Sequence, residues 1–172
     1  SVVGSDGGLY GWSWRFVDGR EGSSLFRLDT EGTFSILHPF IEGFQGNLAL
    51  GGDGVIYGVT PDGGPAPYQA GTVFRFDNAG NFTTLHEFSR TDGGYPSSPL
   101  TLGSDGAMYG VTSYGGSEGA GTVFRVDPAG TFTSLHSFHS SNGSGAPVGP
   151  LILARDGVLY GTGAFGPVFF RV

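Results

Sequence analysis

A unit of about fifty residues recurs along this chain, and that recurrence limits its fold more than any other feature. Asp-Gly followed closely by an apolar residue, Tyr and Gly occurs four times: Asp6-Gly7 with Leu9-Tyr10-Gly11, Asp53-Gly54 with Ile56-Tyr57-Gly58, Asp105-Gly106 with Met108-Tyr109-Gly110, and Asp156-Gly157 with Leu159-Tyr160-Gly161. The four aspartates stand 47, 52 and 51 residues apart. A second block follows each: Leu25 to Asp29, Val73 to Asp77, Val123 to Asp127 and Phe169 to Val172. A third block, Thr33 to Phe40, Asn81 to Phe88 and Thr131 to Phe138, occurs only three times.

Each full unit holds four strand-like runs. In the third they are Pro99–Ser104, Ala107–Ser113, Thr122–Asp127 and Thr131–Phe138. Asp105-Gly106 joins the first pair and Pro128-Ala129-Gly130 the last, short Gly-bearing connections that suit hairpins. No segment carries a sustained helical apolar period. Four antiparallel strands per unit predict an all-β β-propeller whose units are blades. The units span about 1–40, 47–88, 99–138 and 150–172 within a single domain, three complete and the fourth with three strands. The second-to-third and fourth-to-first connections are long and variable, so the first strand of each blade is expected nearest the axis and the fourth at the rim. The incomplete last blade leaves an unpaired edge. The expectation is therefore a part of a larger or oligomeric ring, with another copy or another chain completing the open blade.

The unit "PLTLGSDGAMYGVTSYGGSEGAGTVFRVDPAGTFTSLHSF" closely resembles the GloVer tandem repeat of bacterial surface and secreted proteins, and it is similar to NHL-type propeller blades. The resemblance covers essentially the whole chain. It implies a bacterial, secreted or cell-surface setting, and it implies no catalytic residues. Repeat one departs most, with Ser23-Ser24 in place of Gly-Thr and with Trp12, Trp14 and Phe16 in its middle connection.

Composition removes several chemistries. Net charge is −7, the eight basic residues are all arginine, and they are scattered among fifteen acids. That is no phosphate-binding surface, so nucleic acid is not an expected partner. Without lysine there is no Schiff-base chemistry, and without cysteine there are no disulfides and no thiolate metal site. No apolar run reaches the length that spans a bilayer, so membrane insertion is not expected. No cofactor is expected either.

The repeated polar residues read first as structure. His38, His86 and His136 occupy equivalent rim positions that diverge, so they predict hydrogen bonds within or between blades rather than a shared metal ion. Arg27, Arg75 and Arg125 precede Asp29, Asp77 and Asp127 by two places on one strand face, which predicts Arg–Asp pairing. Asp6, Asp53, Asp105 and Asp156 are turn formers, and the tyrosines that follow them are expected to pack between blades. A calcium role for these aspartates would need further oxygen ligands.

Function is expected where the repeats differ, on the face carrying the long connections. The candidate ligand-binding residues there are Trp12, Trp14, Tyr68, Asp92, Tyr95, Tyr114, Glu118 and Phe165, with Phe16, Asp18 and Asp62 beside them. Gly63-Gly64 and Gly115-Gly116 read as flexible loop segments. Aromatics beside carboxylates can stack on sugar rings and bond their hydroxyls, or anchor a protein interface. The expected function is a non-catalytic, extracellular interaction or self-assembly module, and the chain is not expected to be an enzyme. A glycan-binding propeller is one alternative. A polysaccharide lyase or lactonase-type hydrolase with a site on the long-loop face is another, since the fold does not forbid catalysis.

Overall fold

The computed structural model describes residues 1–17, 20–40, 46–64, 67–96, 98–139, 146–163 and 169–171. The described strands form four consecutive antiparallel sheets, each taken in chain order without crossover. The first contains β1 (Val2–Val3), β2 (Leu9–Val17), β3 (Arg20–Leu28) and β4 (Phe34–Phe40). The second contains β5 (Asn47–Leu50), β6 (Ile56–Thr60), β7 (Thr72–Phe76) and β8 (Phe82–Glu87). The third contains β9 (Thr101–Leu102), β10 (Met108–Thr112), β11 (Gly119–Val126) and β12 (Phe132–His139). The fourth contains β13 (Pro147–Leu153), β14 (Leu159–Gly163) and β15 (Phe169–Arg171). Four-stranded meanders following one another in this way are propeller blades, as the repeat period predicts. The first strands of successive blades touch, β1 with β5, β5 with β9 and β9 with β13, so the inner edge of the array is made by the first strand of each unit.

Both tight connections have one geometry, and the sequence shows why. In the first, the amide of Gly103 bonds the Ala107 carbonyl and that of Gly106 bonds the Gly103 carbonyl, and Gly106 holds φ +79°. Asp105 caps this turn through Oδ1, which accepts the amide of Ala107 at 3.1 Å. The second connection repeats the pattern with the capping residue moved to the start. Asp127 Oδ1 accepts the amides of Ala129 and Thr131, and Gly130 sits at φ +93°. A three-residue loop closed by a glycine in the left-handed region matches the twist of the flanking strands.

The repeated apolar residues meet between blades. Tyr10 and Leu25 pack on Ile56 and Phe76 across the first seam. Tyr57, Val59, Val73 and Phe88 meet Leu100, Met108, Phe124 and Val126 across the second. Val111, Val123 and Phe138 meet Leu151 and Leu159 across the third. The glycines of the first three Tyr-Gly pairs, Gly11, Gly58 and Gly110, make room for the phenylalanine of the next strand. A Cβ on Gly110 would lie 2.4 Å from the Phe124 ring.

Three repeated groups behave differently from the sequence expectation. Arg27 and Arg125 pair chiefly with the turn aspartate of their own blade, not with the aspartate two places on. Arg27 Nη2 lies 2.7 Å from Asp6 Oδ2 but its Nη1 is 3.7 Å from Asp29. Arg125 Nη2 lies 2.9 Å from Asp105, and its Nη1 is 3.9 Å from Asp127. Asp29, Asp77 and Asp127 are instead engaged by their own turn amides, which hold their carboxyls below the usual carboxylate range, with the Asn81 side chain the leading cause at Asp77. The tyrosines pack in the seams, but their hydroxyls are tied within the blade, Tyr57 to Asp53 at 2.9 Å. Burial first, and that carboxylate second, push the Tyr57 hydroxyl up to about 12. The histidines act mainly as flat rings. His38 stacks on Phe82 of the next blade at 4.0 Å and His86 on Phe132 at 3.6 Å. Extended strands leave His38 and His86 facing the phenylalanine that opens the next rim strand, so ring stacking wins over hydrogen bonding for His38.

Candidate functional site

Three long connections come together on one face: residues 61–71 and 113–118 between the second and third strands of their blades, and 88–98 between blades. Backbone hydrogen bonds lace them. The Tyr95 amide donates to the Ala70 carbonyl at 2.8 Å, the Ser113 amide to Tyr95 and the Tyr114 amide to Gly94, each at 3.3 Å, and the Gly116 amide to Arg90 at 2.9 Å. The Thr122 hydroxyl bonds the Asp92 carbonyl from below.

Gly115 and Gly116 serve close approach at these crossings. Gly115 holds φ +80°, and a Cβ there would fall 2.4 Å from the Arg90 carbonyl oxygen. The sequence reading of slack loop is therefore replaced by a crowded junction that only glycine fits.

The strained residues collect in the same place. Gln69, Arg90 and Tyr95, with φ of 43°, 69° and 58°, are the non-glycine residues in the left-handed region among the described residues, and all three lie in these connections. Such conformations cost free energy and persist where the surroundings over-determine them, which is why they gather at ligand sites.

What this backbone presents is a pair of tyrosines. The rings of Tyr95 and Tyr114 stack 5.9 Å apart with 22° between their planes, and each ring side chain stays about two-fifths exposed, 38% and 37%. Asp92 stands at the root of the pair. Its Oδ2 pairs with His86 Nε2 at 2.9 Å, and its Oδ1 accepts the Ser89 amide at 2.9 Å and the Ser89 hydroxyl at 3.0 Å. Burial lowers the proton affinity of His86 and outweighs the neighbouring carboxylate. Glu118 lies on the adjoining turn, where its amide bonds the Ser137 hydroxyl and its Oε2 stands 3.4 Å from Nε2 of His139, both side chains about half exposed.

Of the residues singled out in sequence, Tyr95, Tyr114, Asp92 and Glu118 belong to this loop cluster. Tyr68 is half exposed in the 61–71 connection, two residues from the Ala70 carbonyl that holds Tyr95. Trp14 is exposed on β2, one blade away. Trp12 is not part of a loop surface: it sits in the first seam against Phe40 at 5.0 Å and edge-on to Phe74 at 6.0 Å. Trp12 and Trp14 stand two residues apart on β2 and so share one face, but Trp12 lies where that face meets the seam rings of Phe40 and Phe74, while Trp14, further along the strand, is exposed. Phe16 lies on β2, while Asp18 and Phe165 fall outside the described residues. Asp62 lines a recess of about 240 Å³ with His38 and Glu87. No group of three or more His, Cys, Asp or Glu side chains among the described residues is placed to hold a metal ion.

Sequence reasoning missed the His86–Asp92 and His139–Glu118 pairs. His86 repeats and Asp92 does not, so the signal was present only as a nonrepeated acid six residues after a repeated histidine. It also missed a recess of about 620 Å³, which opens on the opposite, tight-turn face between the first and second blades.

A profile of the Gloeobacter/Verrucomicrobia repeat matches residues 1–169. The chain belongs to this repeat family. Members of the family are what the recurring blocks identify, and the repeat here builds propeller blades. No curated protein matches the chain. Among solved structures the chain is similar to a protein described as "putative gluconolactonase", with TM-score 0.52 and 15% identity, covering 97% of this chain and 63% of that one. The repeat chain thus spans under two-thirds of the length of that propeller. At this identity the likeness establishes the fold alone. It nevertheless overturns the expectation that the chain is not an enzyme, because a similar scaffold carries a gluconolactonase description.

Proposed function

We propose that the long-loop face of this repeat propeller binds neutral, hydroxyl-rich ligands of the sugar class. The observation that carries this reading is the Tyr95–Tyr114 pair, two half-open parallel rings held by a strained backbone with carboxylates in the same loops. Sugar rings present apolar C–H faces that lie flat on aromatic side chains, and their hydroxyls need acceptors such as Glu118. A rigid aromatic surface binds at low entropic cost, because its side chains are already ordered. The net charge of −7 favours neutral sugars over uronates. A secreted or cell-surface setting, implied by the family resemblance, would place such a face against polysaccharide.

The test is calorimetric titration of the chain with cellobiose, xylobiose and galacturonate. A saturable binding event of the neutral sugars that is lost in Tyr114→Ala supports the reading, and an isotherm left unchanged by both Tyr95→Ala and Tyr114→Ala overturns it.

A second reading is favoured by the His139–Glu118 pair together with the lactonase description of the similar propeller. His139 could accept a proton from water while Glu118 steadies the imidazolium. The water oxygen then bonds the lactone carbonyl carbon, the ring C–O bond breaks, and the proton returns to the departing ring oxygen to give the open hydroxy acid. Acid release from a sugar lactone that disappears in His139→Gln would support it. Release at the uncatalysed rate would dismiss it.

A further inference from the structure

The first and second seams are built from equivalent residues but end differently on the tight-turn face. In the second seam Arg75 leaves its own turn and crosses to the next blade, where Nη1 donates to the Pro128 carbonyl at 3.1 Å. In the first seam Arg27 folds back instead, with Nε 2.8 Å from Asp6 Oδ2. The space that Arg75 fills in one seam is part of a recess of about 620 Å³ in the other.

Three substitutions between the repeats separate these seams. Ser5 stands where the second blade has Gly52, Asn78 where the third has Pro128, and Phe76 where the third has Val126. All three side chains line the recess. Ser5 Oγ and Asn78 Nδ2 flank Gly54, 2.8 and 3.7 Å from where its Cβ would be. Each has unspent hydrogen-bonding capacity, since neither side chain has a partner among the described residues. In the sister seam these positions offer no side-chain donor or acceptor at all. An aromatic and aliphatic floor, Phe76 with Leu37, therefore lies beneath a rim of hydroxyl, amide and guanidinium that the second seam lacks.

The geometry points to a second ligand site in this first seam, for a neutral hydroxylated ligand of disaccharide size. Charge narrows the class. Asp6 and Asp77 line the recess and only Arg27 opposes them, already bonded to Asp6, so an anionic ligand meets an acidic rim. A neutral ligand loses nothing to that field, and the Ser5 hydroxyl and the Asn78 amide supply both donors and acceptors. The proposal takes its ligand class from the sugar reading of the long-loop face, but it names a separate site on the other face.

The test copies residues that the chain itself tolerates. Ser5→Gly with Asn78→Pro turns the first seam into the likeness of the second, so folding should be retained, which an unchanged melting temperature confirms. Calorimetric titration of the full chain with cellobiose is expected to show two binding events. The seam variant should weaken one by about tenfold or more through loss of its hydrogen bonds. Tyr114→Ala should remove only the other. If the wild-type isotherm is unchanged in the seam variant, the seam site is overturned whatever Tyr114→Ala does. If only the event sensitive to the seam variant is seen, the seam site stands and the long-loop reading fails. Absence of any cellobiose binding overturns both.

Discussion

The two faces of this propeller are made from the same blades and teach opposite lessons. On the tight-turn face every blade repeats the same three-residue loops, with an aspartate capping amides and a glycine at positive φ. The backbone there sits where glycine belongs, and little is strained. On the long-loop face the connections share no length, and ordinary residues are forced into the left-handed region at Gln69, Arg90 and Tyr95. Repetition marks what holds a blade together, and departure from repetition marks what a blade can recognise. The first seam carries the same lesson to the tight-turn face, because its recess is lined by Ser5, Phe76 and Asn78 where the second seam has Gly52, Val126 and Pro128.

This contrast can be broken most easily at its structural end. Phe124 is fully buried in the second seam, so Phe124→Ala should cost about 3–5 kcal/mol by loss of burial and creation of a cavity. Thermal or denaturant unfolding checks it, and a much smaller loss would mean the seams are not the core. Gly110→Ala should come next, at about 1–3 kcal/mol, because its Cβ would collide with the Phe124 ring. Combining Gly110→Ala with Phe124→Leu should recover part of that loss, which a double-mutant cycle would measure.

Smaller effects sharpen the comparison. The carboxyls of Asp29, Asp77 and Asp127 are held below their ordinary value near 3.8 in the folded chain. Their stabilisation is present above that value and is lost as pH falls through the lower folded values, so the melting temperature should decline in acid below about pH 4. The decline should be shallower in Asp127→Asn. His86 titrates below its ordinary 6.5 when folded, so the unfolded chain takes up the proton first. Stability should therefore slip as pH drops through 6.5, and His86→Phe should lose that step. The smallest change in stability belongs to Tyr114→Ala, about 0.5–1.5 kcal/mol from one exposed aromatic pair, although it should abolish sugar binding at that face.

Much of the fold was legible in the residues themselves. Asp105-Gly106 and Asp127 to Gly130 announced their turns, because only a left-handed glycine and a capping aspartate close such loops. Side-chain partners were less legible, because they depend on register across blades. Nothing in the spacing of Arg27 and Asp29 shows that Asp6, reached through an intervening hairpin, lies closer to the guanidinium. Nor does sequence show that Arg75 crosses a seam that Arg27 does not. At the candidate site the aromatics and acids of the 88–98 and 113–118 connections could be named, since they break the repeat. Trp12 could not be told from Trp14, because both point to one face of β2 and only the extent of the seam along the strand separates them.

The most direct test of the claim that repeated residues build and unrepeated residues recognise is an amide chemical-shift map of the full chain titrated with cellobiose. Saturable shifts should centre on residues 92–95 and 113–118, with a second group at Ser5 and Asn78, while the amides of the third blade's two tight turns, at Ala107 and Thr131, stay still. Shifts concentrated instead on those repeated turn amides would contradict the account.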